Sequence, residues 1–283
     1  MVDAALDRAL PPELAAPTSI HRAMRYSVLA PGKRLRPVLV IAGAETVGGR
    51  AEDVLDTACA LELIHVYSLV HDDLPAMDDD DYRRGRLTSH KVFGEAMAIL
   101  AGDALLTLAF RLVAANAARA VTPAIVATVV AEIADAAGTE GMVGGQVVDI
   151  ESEGRAISRE MLDYIHLHKT AALIRASLRV GALLAGGGAA QVEAISRAGQ
   201  SLGLAFQIVD DILDVEGSLA ELGKSAGSDE RKKKATYPSL HGLPASRQRA
   251  RELIDETKRL LLPLGPAADP IRALADFVFE RRS

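Results

Sequence analysis

The stretch Leu61-Glu62-Leu63-Ile64-His65-Val66-Tyr67-Ser68-Leu69-Val70-His71-Asp72-Asp73-Leu74-Pro75-Ala76-Met77-Asp78 is an apolar run that ends in aspartates. A second apolar run, 202–209, ends in the same way at Asp210-Asp211-Ile212-Leu213-Asp214. Carboxylates are almost never buried unpaired, because removing them from water costs several kcal/mol. Each of these aspartate clusters therefore needs a cation. Together they predict one cavity in which metal ions lie between two carboxylate walls and hold a bridging anion, for which a diphosphate fits best.

The spacing within each cluster predicts its local structure. Asp210 and Asp214 are four residues apart, so they share one helix face with Cβ atoms about 5–6 Å apart. Mg²⁺ suits such a pair because it takes hard oxygen ligands; the alternative is an exposed acidic turn. Asp72 and Asp78 are six apart, and Pro75 between them disfavours a helix. We therefore expect the helix to end near Leu74 and a loop to return Asp78 to Asp72.

Two short basic motifs lie in the first third of the chain. Gly32-Lys33-Arg34-Leu35-Arg36 opens a predicted helix, and Lys33 and Arg36 lie three apart, which suits a phosphate. Arg83 and Arg84 come directly after the first cluster, where bidentate geometry favours arginine over lysine for a diphosphate. A solvated basic turn and simple charge balance are the respective alternatives. Acids combined with scattered cations favour a polyanionic substrate over a metal store.

Composition limits the classes of fold and partner. The chain has 283 residues, of which 49% are hydrophobic, and a formal net charge of −6. We expect one all-α domain over residues 1–283, built as a bundle of about ten or more helices around a central apolar cavity. The charge argues against a nucleic-acid partner. Predicted helices run over 19–30, 35–47, 51–73, 90–116, 123–137, 159–185, 191–216, 229–241, 246–262 and 270–281.

The distribution of charged residues among the apolar runs predicts a soluble protein. The best candidate for a membrane span, 92–110, contains Glu95 and Asp103, whereas a spanning helix needs about 20 apolar residues with few charges. The N-terminus lacks the basic start and apolar core of a signal peptide. The single Cys59 lies in an apolar run, which is typical of a small buried side chain in a reducing compartment. We expect a cytoplasmic protein with no membrane span.

Taken together, these motifs resemble the trans-isoprenyl diphosphate synthases, and most closely the bacterial farnesyl diphosphate synthases. Residues 63–81 resemble the first aspartate-rich motif of that family almost letter for letter. The resemblance runs in order over roughly residues 20–282. It also rests on 93–105, Gly144-Gly145-Gln146, His168-Lys169-Thr170, 206–214 and Ala235-Thr236-Tyr237-Pro238.

The resemblance implies a role for each group of residues. An allylic diphosphate would bind through Mg²⁺, about three ions per site, and isopentenyl diphosphate would bind without metal. The implied metal ligands are Asp72, Asp73, Asp78, Asp210 and Asp214; the implied catalytic residues are Asp72, Asp73, Asp78, Arg83, Lys169, Asp210 and Asp211. Residues implied at the allylic diphosphate are Arg83, Lys169, Thr170, Gln207, Lys224 and Lys234, and those at isopentenyl diphosphate are Gly32, Lys33, Arg36, His65 and Arg84.

The length of the product is predicted from the residues that precede Asp72. Tyr67 and Ser68 lie about one helical turn deeper than Asp72, so the bulky Tyr67 would close the pocket early. This predicts farnesyl diphosphate, with fifteen carbons, made from dimethylallyl or geranyl diphosphate. Three alternatives remain, namely a geranylgeranyl diphosphate synthase with a twenty-carbon product, a class I terpene cyclase and a non-catalytic partner subunit. A homodimer is expected from the resemblance.

Overall fold

The computed structural model describes residues 1–118, 121–216 and 235–281, most of which are helical. The predicted Lys224 and Lys234 lie outside these residues. The helices and strands, numbered here in chain order, are α1 (Val2–Ala9), α2 (Thr18–Val28), α3 (Leu35–Thr46), α4 (Ala51–Asp72), β1 (Tyr82–Arg83), β2 (Arg86–Leu87), α5 (Ser89–Phe93), α6 (Glu95–Ala114), α7 (Pro123–Ala137), α8 (Met142–Ser152), α9 (Arg159–Ile165), α10 (Ala172–Leu184), α11 (Ala189–Glu216), α12 (Tyr237–His241), α13 (Leu243–Leu260) and α14 (Asp269–Glu280).

Short irregular turns connect some of these helices. A π-helical turn over His166–Ala171 joins α9 to α10, and 3₁₀ turns cover Ala115–Ala118 and Leu262–Ala268. The residues divide into two compact units, which are Met1–Val38 with Glu52–Val130 (unit 1) and Leu39–Ala51 with Ala131–Ser283 (unit 2). The first aspartate cluster and the basic turn after α2 belong to unit 1, and the second cluster belongs to unit 2. The expectation of one domain remains a prediction.

Unit 1 packs around helix α4, which is apolar on nearly every side. Leu61, Leu63 and Ile64 are fully buried, as the apolar run predicts. Helix α2 packs against α5 and α6. The strands β1 and β2 form a minimal antiparallel hairpin, in which Tyr82 pairs with Leu87 and Arg83 with Arg86. The hairpin follows directly on the first aspartate cluster, so it sets where the paired arginines lie.

Unit 2 packs around helix α11, which contacts α10, α13 and the π-helical turn. Gly199 and Gly203 allow these neighbours to come close. A Cβ added at Gly203 would lie 2.6 Å from the Cα of Ala171, and one at Gly199 would lie 3.0 Å from the Cα of Arg175. Both contacts are tighter than real Cβ atoms normally make. The two glycines therefore allow a close approach between α11 and the backbone at Ala171 and Arg175.

Within residues 1–118, 121–216 and 235–281, two helices are long and apolar enough to cross a membrane by length and composition, whereas no such segment is expected from the sequence. These are α4, with 67% of its most apolar window buried inside the protein, and α6, with 39% buried. Buried core helices of soluble proteins pass the same test. The burial of α4 is explained by its place in the core of unit 1.

Candidate active site

The first aspartate cluster folds back on the end of α4. The backbone N–H of Asp78 donates to the carbonyl oxygen of Asp72 at 2.8 Å, and that of Asp79 donates to the carbonyl of Leu74 at 3.1 Å. Asp79 has a φ of +50°, the left-handed conformation that Asp tolerates better than most residues. The structure confirms the predicted loop, since it returns Asp78 to the backbone of Asp72. Both of these side chains remain partly exposed.

Asp73 has a different environment from its neighbour. It is buried, and its Oδ1 accepts hydrogen bonds from Nε and Nη2 of Arg83 at 2.9 and 2.5 Å. Arg83 also donates to Asp80 at 3.3 Å. Burial raises the pKa of Asp73, and the charge of Arg83 opposes that rise. Asp73 therefore holds Arg83 in place, and its expected role as a metal ligand stays a prediction.

Tyr26 of α2 holds the hairpin that carries the paired arginines. Its hydroxyl donates to the carbonyl of Leu87 at 2.8 Å, and the guanidinium of Arg86 lies 4.2 Å from the centre of its ring. The ring also makes an edge contact with Phe93, with centres 5.3 Å apart. A two-residue strand pair is marginal alone. Tyr26 therefore supplies contacts that fix the hairpin.

We use the name basic cluster for one glycine and four residues with basic side chains, which are Gly32, Lys33, Arg36, His65 and Arg84. Arg84 donates to the carbonyl of Pro31 at 2.8 Å, and a Cβ at Gly32 would lie only 2.2 Å from Nη1 of Arg84. Glycine at this position therefore lets the guanidinium rest against the backbone turn. The structure brings the turn after α2, the middle of α4 and the hairpin together, as the resemblance implies for a diphosphate site.

Electrostatics give the members of the basic cluster different protonation states. Burial lowers the pKa of Arg36 to about 10, with Arg84 acting in the same direction and Glu62 opposing it. Arg36 therefore stays cationic at neutral pH. Burial and the nearby arginines, of which Arg36 is the strongest, hold the pKa of His65 well below its usual range. His65 is neutral at pH 7 and can offer a hydrogen bond without added charge.

The second aspartate cluster lies near the end of α11. The side chain of Asp210 is 41% exposed and lies 3.4 Å from Nη2 of Arg281. Arg281 also donates to the carbonyl of Phe206 at 2.9 Å and lies over its ring. Asp214 is buried, and its Oδ1 has no hydrogen-bond partner in the described structure. An orphaned carboxylate oxygen beside a half-exposed aspartate is the arrangement that a bound cation would complete.

Asp211 is the centre of a buried hydrogen-bond network. Its Oδ1 accepts from the side chain of Gln207 at 2.9 Å, and its Oδ2 accepts from the backbone N–H of Tyr237 at 2.8 Å. Thr170 in turn donates to Gln207 at 2.7 Å. His166 Nε2 lies 3.3 Å from the same carboxylate. Asp211 therefore holds Gln207 and the start of α12 in place, and its expected catalytic role stays a prediction.

Lys169 projects from the π-helical turn and pairs with Asp149 of α8. The distance between Lys169 Nζ and Asp149 Oδ2 is 2.6 Å. Gly145 allows α8 to pack this closely, because a Cβ there would lie 2.2 Å from the backbone nitrogen of Lys169. The Gly144-Gly145-Gln146 motif thus has a packing role. Asp149 therefore orients the side chain of Lys169.

The residues before Asp72 differ in their contacts. Tyr67 is 7% exposed, and burial together with the charge of Asp72 raises its pKa to about 12. Ser68 donates to the carbonyl of His65 at 2.9 Å. His71 Nε2 lies 3.0 Å from the carbonyl of Ile99, and a Cβ at Gly102 would lie 2.1 Å from that same ring nitrogen. These contacts pack the His71 ring against α6.

Residues 17–260 match the polyprenyl synthetase family. The chain belongs to this family. As a polyprenyl synthetase, it is a trans-prenyltransferase with the all-α fold of isoprenyl diphosphate synthases. The match covers both aspartate clusters and the basic cluster.

Curated relatives of this polyprenyl synthetase extend over its whole length. The chain is 50% identical to the heterodimeric geranylgeranyl pyrophosphate synthase large subunit 1 of Arabidopsis thaliana, covering 100% of this chain and 77% of the relative. It is 50% identical to the chloroplastic geranylgeranyl pyrophosphate synthase of Capsicum annuum, covering 99% and 76%. Among solved structures, a geranyltransferase from Helicobacter pylori complexed with magnesium and isoprenyl diphosphate matches with a TM-score of 0.88, 31% identity and coverage of 99% and 94%.

The carboxylates of each aspartate cluster fit Mg²⁺. Asp72 and Asp78 in unit 1, and Asp210 and Asp214 in unit 2, offer hard carboxylate oxygens, and the buried Oδ1 of Asp214 has no hydrogen-bond partner among the described residues. Among the described residues, no three His, Cys, Asp or Glu side chains lie together as a ready metal site. Mg²⁺ normally keeps several waters and is bound by one or two carboxylates plus substrate phosphates. An incomplete protein site is thus the expected one.

Three residues of the polyprenyl synthetase site were missed by reasoning from the sequence. Asp149 and Tyr26 carry no local signal, because their roles depend on packing between elements. Glu62 did carry one, since it lies inside the apolar run three residues before His65. The rule that a buried acid needs a cation was applied to the aspartates and applies equally to Glu62.

Proposed function

We propose that the protein condenses an allylic diphosphate with isopentenyl diphosphate head to tail, releases diphosphate and ends at geranylgeranyl diphosphate, with twenty carbons. The observation that carries the product assignment is the naming of both reported relatives as geranylgeranyl pyrophosphate synthases at 50% identity. This revises the fifteen-carbon product expected from Tyr67. The twenty-carbon alternative becomes the main proposal.

The allylic diphosphate is assigned to both aspartate clusters. Bound Mg²⁺ would neutralise the charge that develops on the leaving diphosphate. Asp72, Asp78 and Asp210 are the proposed ligands, and Asp214 supports them. Further positive charge and hydrogen bonds come from side chains that reach the same diphosphate; the proposed set is Arg83, Lys169, Thr170, Gln207, Lys224 and Lys234.

The basic cluster is assigned to isopentenyl diphosphate, whose diphosphate group stays attached throughout the reaction. Arg36 and Arg84 supply fixed positive charge, and neutral His65 supplies a hydrogen bond. Lys33 adds a third cation from the turn before α3. A preorganised grip of this kind holds the double bond in place while the allylic C–O bond breaks, so that the new C–C bond can form.

A fifteen-carbon product is the second candidate, and one observation favours it. Tyr67 is buried one turn before Asp72, where a bulky side chain can limit the depth available to a growing chain. Its ring is fixed by an edge contact with His71, with ring centres 5.7 Å apart. A ring held in this way cannot easily move aside for a longer product.

The test is a product analysis of the purified protein. It is incubated with Mg²⁺, labelled isopentenyl diphosphate and dimethylallyl diphosphate, and the chain lengths of the products are measured. A twenty-carbon end product supports the proposal, and accumulation of the fifteen-carbon product supports the second candidate. Arg36→Ala is the matched variant that tests a terpene cyclase. It should lose condensation, whereas a cyclase acting on the allylic diphosphate alone would keep its activity.

The remaining expectations stand as proposals. We propose a homodimer, supported by the exposed Val92, Ile99 and Leu100 on α5 and α6, and light scattering of the purified protein tests it. We also propose that the protein acts in the cytoplasm, on small diphosphates rather than nucleic acid. The net charge of −6 supports the last of these.

A further inference from the structure

Glu62 is a buried carboxylate in the middle of α4, the helix that carries His65 of the basic cluster. Its side chain is 2% exposed, and its Oε1 accepts a hydrogen bond from Nη1 of Arg34 at 3.0 Å. Its Oε2 is buried with no hydrogen-bond partner in the described residues. A half-satisfied buried carboxylate is costly. Its presence among cations therefore suggests a task beyond local stability.

Arg34 is fully occupied by protein groups. Its Nε donates to Asp3 of α1 at 2.8 Å, and its Nη2 donates to the carbonyl of Ala30 at 3.0 Å, in addition to its bond with Glu62. Its backbone has a φ of +50°, which is uncommon for a residue that is not glycine. Arg34 therefore anchors Glu62 and is not available to a ligand.

The negative charge of Glu62 also acts on Arg36 and Arg84. Burial lowers the pKa of both residues, the charge of Glu62 opposes that change, and a neighbouring arginine adds to it. The Nε of Arg36 is buried and, in the described residues, has no hydrogen-bond partner. Without a fixed negative charge nearby, these guanidinium groups would repel each other before an anion arrives.

We propose that Glu62 is the positioning residue of the basic cluster, held by Arg34 so that Arg36 and Arg84 are oriented to bind the diphosphate of isopentenyl diphosphate. This rests on the proposed function of the basic cluster. The proposal means that an acidic residue makes the binding of an anionic substrate tighter. If Glu62 only reduced the net positive charge of the cluster, it would weaken that binding instead.

Two substitutions separate positioning from charge. Glu62→Asp keeps the charge and shortens the side chain, so the 3.0 Å contact with Arg34 is lost. Glu62→Gln removes the charge and makes the cluster more positive. Binding of isopentenyl diphosphate, measured by calorimetry without Mg²⁺ or primer, should weaken about tenfold in both, the size of one lost charge-assisted hydrogen bond. In steady-state assays the KM for isopentenyl diphosphate should rise, while that for the allylic diphosphate stays constant.

Glu132→Gln is the matched control. Glu132 pairs with Arg179 at 2.7 Å in unit 2, so this change also breaks an arginine–carboxylate pair but should leave isopentenyl diphosphate binding unchanged. Thermal unfolding of every variant confirms folding, and Glu62→Asp decides the question if Glu62→Gln does not fold. Unchanged binding in Glu62→Asp, or tighter binding in Glu62→Gln, overturns the inference alone. A wild-type protein that binds no isopentenyl diphosphate overturns the proposed function as well.

Discussion

Asp211→Asn should destabilise the protein without weakening its response to Mg²⁺. The buried carboxylate accepts from Gln207 and from the backbone N–H of Tyr237 at 2.9 and 2.8 Å. Asparagine keeps one acceptor oxygen for one of these two donors, but its NH₂ group faces the other donor and cannot accept a hydrogen bond from it. A hydrogen bond to a charged group contributes about 1.5–3 kcal/mol, and an unsatisfied buried donor costs about 1–3 kcal/mol more. We expect a loss of about 2–4 kcal/mol in the free energy of unfolding.

The assay is thermal unfolding combined with activity measured over a Mg²⁺ titration. A loss of this size lowers Tm by roughly 5–15 °C for a chain of this length. The half-saturating Mg²⁺ concentration should stay at the wild-type value. Asp210→Asn is the control, because that side chain is 41% exposed and meets only a long contact to Arg281. It should leave Tm nearly unchanged and raise the Mg²⁺ requirement. The reverse pattern in the two variants would refute the assignment of the two aspartates.

Three further outcomes follow from the structure. Tyr67→Ala should lengthen the product by at least one five-carbon unit, as sized by chromatography; an unchanged product would remove Tyr67 from the pocket. Tyr26→Phe, which loses only the 2.8 Å bond to Leu87, should raise the KM for isopentenyl diphosphate severalfold, and an unaltered KM would show that the hairpin does not need it. Because the pKa of His65 is held below its unfolded value, the unfolded chain binds more protons below about pH 6.5 and stability falls as the pH drops further. Urea unfolding of His65→Asn at pH 7 and 5.5 should show a smaller drop than wild type, and an equal drop would contradict this.

Much of the fold could be predicted because apolar runs and their breaks are local signals. The predicted helix over 51–73 corresponds to α4 at Ala51–Asp72, and the return of Asp78 followed from Pro75 and a six-residue spacing. The predicted helix over 159–185 is instead α9, a π-helical turn and α10. Helical periodicity does not reveal a π turn, because a π turn adds a single residue to a helix. The apolar residues before and after it still recur at helical spacing.

The residue types of the candidate site could be predicted, but the burial of its individual aspartates could not. Asp73 and Asp211 are identical in kind to Asp72 and Asp210, yet the structure buries the former pair against Arg83 and Gln207. Which of two adjacent aspartates faces solvent depends on helix rotation within the core, and the sequence carries little signal for it. Product length was the other weak point, since the depth of a pocket depends on every side chain that surrounds it and not on Tyr67 alone.

The most direct test of the proposed function uses farnesyl diphosphate itself as the allylic primer. Purified protein is mixed with Mg²⁺, farnesyl diphosphate and labelled isopentenyl diphosphate, and the label is followed into product. A twenty-carbon synthase incorporates one labelled unit and yields geranylgeranyl diphosphate. Failure to extend farnesyl diphosphate, with geranyl diphosphate still elongated by one unit in a parallel reaction, would contradict the twenty-carbon assignment.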